Sequence, residues 1–417
     1  MQQTFASIIT IGDELLIGQV IDTNSAFIAQ QLNAIGISIK HRLAVGDVWE
    51  DIWQALEEES KHASVILITG GLGPTADDIT KPLLCEYFGG KLVIDEDALK
   101  NVEAIFKRLD RPMIERNRKQ AEVPDVCTVI PNHRGTAPGM WFEKDGVIFI
   151  SMPGVPHEMR GMVEDYVLVH LQENRQLPTI IHKTLLTAGV GESFLADLIQ
   201  AWEENLPAHI KLAYLPNYGM VRLRLSATGF EKGVLEEQVE NEFSQLKLLV
   251  KEYMVTDEDE PMEKVVAKLL LARKQTMATA ESCTGGYIAH LITQMAGSSV
   301  YYNGSVVSYS YKAKEDLLGV EKELLLSKGA VSEEVVKQMV TGALAGLKTT
   351  YAVAVSGIMG PGGDTDDKPV GTVWVAVGNK DHTTTQKFHF RFDRRRNIEL
   401  TATNALNLLR KFILSVS

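Results

Sequence analysis

The chain has 417 residues, a formal net charge of −12 and 45% hydrophobic residues. That length exceeds what one core usually serves, roughly 100–200 residues per domain, so two or three domains are expected. The acidic balance argues against a protein that wraps phosphate backbones, and the three cysteines, Cys85, Cys127 and Cys283, are too scattered for a disulfide framework or a zinc site.

Taken in order, the first elements alternate. FASIITI reads as a strand, and Ile28, Leu32 and Ile35 then fall on one helical face, with Thr23 or Asn24 as cap and Gly36 as stop. ISIKHRLAV is the next strand, a helix with Ile52, Trp53 and Leu56 comes after it, and SVILIT is a fully apolar strand. GVIFIS closes the series before a helix from about Pro156 to Leu171. Such alternation predicts a parallel sheet covered on both faces. The polar LQENRQLPT marks a boundary, and beyond it strands at Ile180–Thr187, IKLAYL and MVRLRLSAT, with helices after Gly191 and over about Lys232–Val250, make a small α+β unit. TDEDEP, Thr256–Pro261, reads as a solvated linker. The last part alternates again through TMATA, SVVSY, YAVAVS, GTVWVAV and TTQKFHF, closing on a helix with Ile398, Ala402, Ala405, Leu409 and Phe412 on one face. The opening MQQTFASIITIGDELL has no signal-peptide pattern and no later run reaches the ~18 apolar residues of a membrane span, so a soluble cytoplasmic protein is expected.

Two stretches carry chemistry. ITGGLGPTADDITKP, Ile68–Pro82, comes directly after a buried strand and leads into a helix for which Thr80 is a plausible cap. Gly70, Gly71 and Gly73 let the backbone approach an anionic ligand and aim amides at it. Asp77 and Asp78, with Asp13, Glu14 and Asp22 from GDELLIGQVIDTN, belong to the same sheet edge, where carboxylates beside phosphate make sense if a divalent ion bridges them. The alternative is that the glycines only turn the chain and the acids cap helices. GDELLIGQVIDTNS, TGGLGPTADD and MPGVPHEM resemble the molybdopterin-binding-like domain of the CinA (competence/damage-inducible) family. In that family the domain is associated with metal-dependent ADP-ribose pyrophosphatase activity. The resemblance implies that Gly71, Gly73, Pro74 and Thr75 hold phosphates, with Gly70 and Asn24 also on the substrate. It places Asp77 or Asp78 near a Mg, Mn or Co ion, with Asp22 as a further ligand candidate. The middle segment resembles the family's KH-like domain, but AGVGES lacks the G-x-x-G loop that clamps nucleic acid, so RNA binding is not expected.

The second stretch, ATAESCTGG, sets Ser282 and Cys283 at a strand-to-helix turn whose helix amides are candidates for an oxyanion hole. It is not a G-x-S-x-G elbow. His290 is expected on the surface, whereas Lys314, just after an apolar strand beside Tyr309, is a candidate base if burial lowers its pKa. A solvated lysine is the alternative. VSGIMGPGGDTDDKPVGT supplies a long glycine loop, and FDRRRN opens the last helix with Asp393 as cap and arginines able to fork onto phosphate. AESCTGG, GSVVSYSYKAK, VSGIMGPGG, KPVGTVW and FDR together resemble the C-terminal nicotinamide-nucleotide amidase domain of the same family. The resemblance implies Ser282 as nucleophile, Lys314 as base with Tyr309 assisting, Ser356 in support where relatives often carry Thr, and Arg394 on the substrate phosphate. Thr284, Gly285, Gly286, Gly357 and Gly360 are the remaining expected substrate contacts. A cysteine nucleophile would want a histidine to make its thiolate, and none is evident near Cys283.

The expected architecture is therefore two α/β domains, three-layered with mostly parallel sheets, at 1–172 and 259–417, joined by a small KH-like α+β domain at 178–253. The expected protein is a bifunctional enzyme. It hydrolyses nicotinamide mononucleotide to the nicotinate nucleotide and ammonia without a cofactor, and ADP-ribose to AMP and ribose 5-phosphate with a divalent metal. Its partners would be these nucleotides and a second copy of itself, with no membrane. The rival expectation is a pterin- or nucleotide-binding partner protein in competence or DNA repair.

Overall fold

The structure, a computed structural model, describes residues 4–75, 78–173, 177–217 and 219–416. Its first compact unit comprises residues up to 181 together with 227–236. Strands β1 (Phe5–Ile11), β2 (Ser38–Val45), β3 (Val65–Thr69), β4 (Thr128–Ile130), β5 (Gly139–Lys144) and β6 (Val147–Met152) form a six-stranded sheet in the order β2-β1-β3-β6-β5-β4. The β2-β1-β3-β6 run is parallel, and the β6/β5 and β5/β4 pairs are antiparallel.

Side-chain alternation explains why β3 is apolar throughout. Val65 and Leu67, with Ala6 and Ile8, pack against α1 (Thr23–Ala34), while Ile66 and Ile68, with Ile9 and Ile11, pack against α2 (Trp49–Glu59) and α3 (Thr80–Tyr87). Three local details depart from expectation. Asp22, not Thr23 or Asn24, caps α1 by accepting from the Ser25 amide at 2.9 Å. Thr80 is the first residue of α3 and makes no cap bond. A helix that the sequence pattern does not announce, α4 (Glu96–Arg108), is capped by Asp95.

The second unit comprises residues 182–226 and 237–417. A four-stranded sheet of β7 (Thr179–Ala188), β8 (Ile210–Asn217), β9 (Met220–Gly229) and β10 (Met254–Thr256), ordered β8-β9-β7-β10, accompanies helices α5 (Glu192–Glu203) and α6 (Lys232–Leu249). Leu186, Ala188 and Met220 are buried in one cluster with Met262, Val266 and Tyr301, so most of the middle segment packs as one body with the C-terminal part of the chain.

The C-terminal sheet consists of β11 (Met277–Glu281), β12 (Tyr302–Val307), β13 (Tyr351–Gly357), β14 (Thr372–Gly378) and β15 (Thr383–His389), ordered β12-β11-β13-β14-β15. β11 is parallel to β12 and β13. The consecutive strands β13, β14 and β15 have no crossover helix between them and pair antiparallel, so this sheet is evenly mixed. Its two faces differ in bulk. Val353, Val355, Val373 and Val375 face α7 (Met262–Arg273), α8 (Tyr287–Thr293) and α12 (Arg394–Ser415). Ala280, Ala352, Ala354 and Ala376 face α9 (Tyr311–Leu318), α10 (Lys322–Lys328) and α11 (Glu333–Leu347). Small residues on that second face let the helices lie close. Among the described residues no helix is long and apolar enough to cross a membrane.

Candidate active site

The parallel strands β11, β12 and β13 end at the same sheet edge, and the residues that come after them converge there. The Ser282 amide donates to the Val355 carbonyl at 3.1 Å and the Ser308 amide to the Glu281 carbonyl at 2.9 Å, locking the three strand ends together. Beyond β12, Ser310 caps α9 by accepting from the Ala313 amide at 3.1 Å, and Gly319 ends that helix in a left-handed conformation. Lys314 therefore sits on a helix that begins just after the strand. This helix turns it inward: Lys314 is 0% exposed, and its Nζ lies 2.9 Å from Ser282 Oγ and 2.6 Å from the Ser308 carbonyl.

Burial pushes the Lys314 amine down to about 8, because desolvation disfavours the charged form. A fraction of order one in ten is then neutral at pH 7. Lys314 Nζ donates to both oxygens; once neutral, it keeps two N–H groups and one lone pair, so it can hold the Ser308 carbonyl while the lone pair accepts from the Ser282 hydroxyl. The neighbouring Cys283 is buried. Its thiol is pushed up to about 12 by burial and belongs to the apolar cluster behind the turn.

The remaining predicted residues fall into two groups. Thr284, Gly285, Gly286 and Arg394 line one cavity of about 640 Å³, with the exposed His290 at its rim. Arg394, in the first turn of α12 behind the Asp393 cap, donates to the Gly360 carbonyl at 2.8 Å and to the Tyr309 hydroxyl at 3.0 Å. Tyr309 is 64% exposed, so its described partner is Arg394 rather than the serine or lysine. Ser356 donates to the Ala330 carbonyl at 2.7 Å, and a side chain at Gly357 would collide with Val373. The α8 amides proposed as an oxyanion hole are already used, since the Gly286, Ile288 and Ala289 amides all donate to the Glu281 carboxylate. Sequence reasoning missed Glu281 altogether. An acid ending a buried strand was the available signal, because such a group must find donors.

In the first unit the turns after β1, β3 and β6 also meet at the ends of parallel strands. Gly70 and Gly71 have φ of +117° and +64°, and a Cβ on them would lie 2.2 Å from the Ile11 carbonyl oxygen and 2.0 Å from Thr80 Oγ1, so only glycine fits. A cavity of about 400 Å³ is lined by Gly70, Gly71, Gly73 and Pro74 on one side and by Glu14, Asp47, Asp78 and Glu158 among the rest. Thr75 is not among the lining residues and donates its amide to Asp78 at 2.9 Å. Asn24 and Asp22 line a neighbouring cavity of about 120 Å³, where Asn24 Nδ2 donates to the Gly154 carbonyl at 2.7 Å.

Two of these acids already have hydrogen-bond partners. Asp22 is committed to capping α1, Asp78 to Thr75, and Asp77 lies outside the described residues. Among the described residues no three His, Cys, Asp or Glu side chains come together to hold a metal.

Comparison with known proteins matches three successive stretches of the chain. Residues 7–173 match the family described as the probable molybdopterin binding domain, residues 182–255 the damage-inducible protein CinA KH domain, and residues 259–413 the CinA C-terminal domain. A CinA-like protein of Flavobacterium psychrophilum is 46% identical over 411 residues, covering 98% of each chain. One of Cytophaga hutchinsonii is 44% identical over 407 residues, 98% of this chain and 97% of that one. The crystal structure of a CinA superfamily protein of Klebsiella pneumoniae aligns with 34% identity over 37% of this chain and 99% of its own, at a TM-score of 0.36. With a relative so similar along its whole length, and with motifs of all three domains in order, the chain belongs to the CinA family.

Proposed function

We propose that the C-terminal part of the chain is an amidase that hydrolyses nicotinamide mononucleotide to nicotinate mononucleotide and ammonia. The observation that carries this reading is the buried contact between Lys314 Nζ and Ser282 Oγ at 2.9 Å. Lys314 takes the Ser282 proton as Oγ attacks the carboxamide carbon. The resulting ammonium returns that proton to the leaving nitrogen, ammonia departs, and an ester to Ser282 remains. Water, deprotonated by the same amine, cleaves the ester and frees the serine. Arg394 is the phosphate-binding residue of this scheme, lining from the start of α12 the cavity that Thr284, Gly285 and Gly286 also line. No cofactor enters any of these steps. Ammonia release from nicotinamide mononucleotide by wild type and Ser282→Ala tests the proposal, and equal release by both would refute it.

The family resemblance extends the proposal to cleavage of ADP-ribose into AMP and ribose 5-phosphate in the first unit. Its support is the glycine-lined cavity, which lies in the size range of small-ligand pockets. AMP release from ADP-ribose, measured with chelator and with added Mg, Mn or Co, tests it. Absence of AMP under every condition removes this second activity.

A further inference from the structure

Glu281 is the last residue of β11 and is fully buried. Strand alternation puts it on the face of Met277 and Thr279, beneath α7, α8 and α12. A carboxylate there requires donors. Oε2 accepts from Thr284 Oγ1 at 2.7 Å, the Gly286 amide at 3.1 Å and the Ile288 amide at 3.0 Å. Oε1 accepts from the Ala289 amide at 2.8 Å, Thr279 Oγ1 at 3.3 Å and Ser305 Oγ at 3.4 Å. Every one of these contacts is accepted and none is donated.

The backbone of the same residue reaches the other half of the catalytic pair. The Glu281 carbonyl accepts the Ser308 amide at 2.9 Å, and the Ser308 carbonyl in turn accepts from Lys314 Nζ at 2.6 Å. The turn on the serine side contains Gly285 and Gly286 with φ of +60° and +99°, residues without side chains to hold it by packing. At these two positions its shape is left to hydrogen bonds.

We propose that Glu281 is the positioning residue of the serine–lysine pair. Its side chain clasps the turn that presents Ser282, and its backbone fixes the carbonyl that aims Lys314. The inference rests on the amidase reading above. It assigns Glu281 no contact with substrate and no proton transfer.

The test is Glu281→Gln in the full-length chain. Glutamine keeps the shape, but in either orientation its NH₂ faces at least one backbone amide that can only donate, Ala289 on one side or Gly286 and Ile288 on the other, so part of the clasp is lost. Since misplacement on the ångström scale costs about 10²-fold, kcat for nicotinamide mononucleotide falls about 10–100-fold while KM stays within about twofold. Thr279→Val, which removes one donor to the carboxylate from a fully buried strand residue, gives a smaller fall of about 3–10-fold, again with KM held. Wild-type kcat in Glu281→Gln, or a raised KM with kcat intact, overturns the proposal. If that variant does not fold, Thr279→Val decides alone, and an unchanged kcat overturns it. Should wild type release no ammonia, the amidase reading is what fails. The rate at which a fluorophosphonate probe labels Ser282 then reads the positioning directly: slower labelling in Glu281→Gln sustains it, and equal labelling defeats it.

Discussion

Replacing Lys314 with methionine separates what this side chain does for chemistry from what it costs the fold. The gap between an ordinary lysine at 10.5 and about 8 in the folded chain corresponds to about 3 kcal/mol by which burial disfavours the charged amine, at about 1.36 kcal/mol per pH unit. Methionine has a similar length and no charge, but it leaves the Ser308 carbonyl and Ser282 hydroxyl without their partner, a loss of about 1–2 kcal/mol. Lys314→Met is therefore expected to abolish ammonia release while leaving the chain about 1–2 kcal/mol more stable at pH 7.

The pH dependence is set by which state holds the proton. Below about 8 both folded and unfolded chains bind it, and the folded one carries the full penalty. Between about 8 and 10.5 the unfolded chain binds more, so wild-type stability climbs with pH, and above 10.5 the lysine is neutral in both states. The advantage of the methionine variant should shrink by about 2 kcal/mol between pH 7 and pH 9.5. Urea midpoints of the two proteins at those two pH values measure this, because other titrating groups cancel in the difference. A difference that does not change with pH would refute a burial penalty on the charged amine.

The remaining predictions concern the same two sheet edges. For nicotinamide mononucleotide, kcat/KM should rise about tenfold per pH unit below about 8 and level off above it, since the neutral amine is the active form; a flat profile from pH 6 to 9 would remove Lys314 as base. Arg394→Ala should raise KM by about 10–100-fold with kcat within a few fold, the value of a charge-assisted hydrogen bond, as read by steady-state ammonia release. Gly71→Ala forces a Cβ to 2.0 Å from Thr80 Oγ1 at a φ of +64°. Left-handed strain of about 1–2 kcal/mol and overpacking of about 1–3 kcal/mol should lower the melting temperature of the first unit while sparing ammonia release.

What the sequence disclosed depended on the range over which each signal acts. Strand-helix alternation is local, and VILIT and YAVAV announced buried strands because alternate residues face opposite layers that are both apolar. The glycines of the first turn were legible for a similar reason, since only a backbone without Cβ passes Ile11 and Thr80. Capping was harder. Asp22, Thr23 and Asn24 are all cap residues by type, and it is the Asp22 side chain that accepts from the Ser25 amide. The helix carrying Lys314 was missed although Ser310 and Gly319 bracket it as start and stop, because it is short and lies immediately after a strand.

Glu281 marks where reading by pattern ends and reading by obligation begins. No periodicity separates a strand-terminal acid that is solvated from one that holds six donors, because Thr279, Thr284, Gly286, Ile288, Ala289 and Ser305 reach it only after β11, β12 and α8 have packed. The physical requirement was nonetheless present in the sequence. MATAE ends on a carboxylate inside an apolar layer, and a buried acid without partners costs several kcal/mol. Its donors had to come from nearby chain, and the segment immediately after it is the turn that carries the nucleophile. A fold that must satisfy this carboxylate thereby fixes the geometry of Ser282, so the demand of burial and the demand of catalysis are met by the same hydrogen bonds.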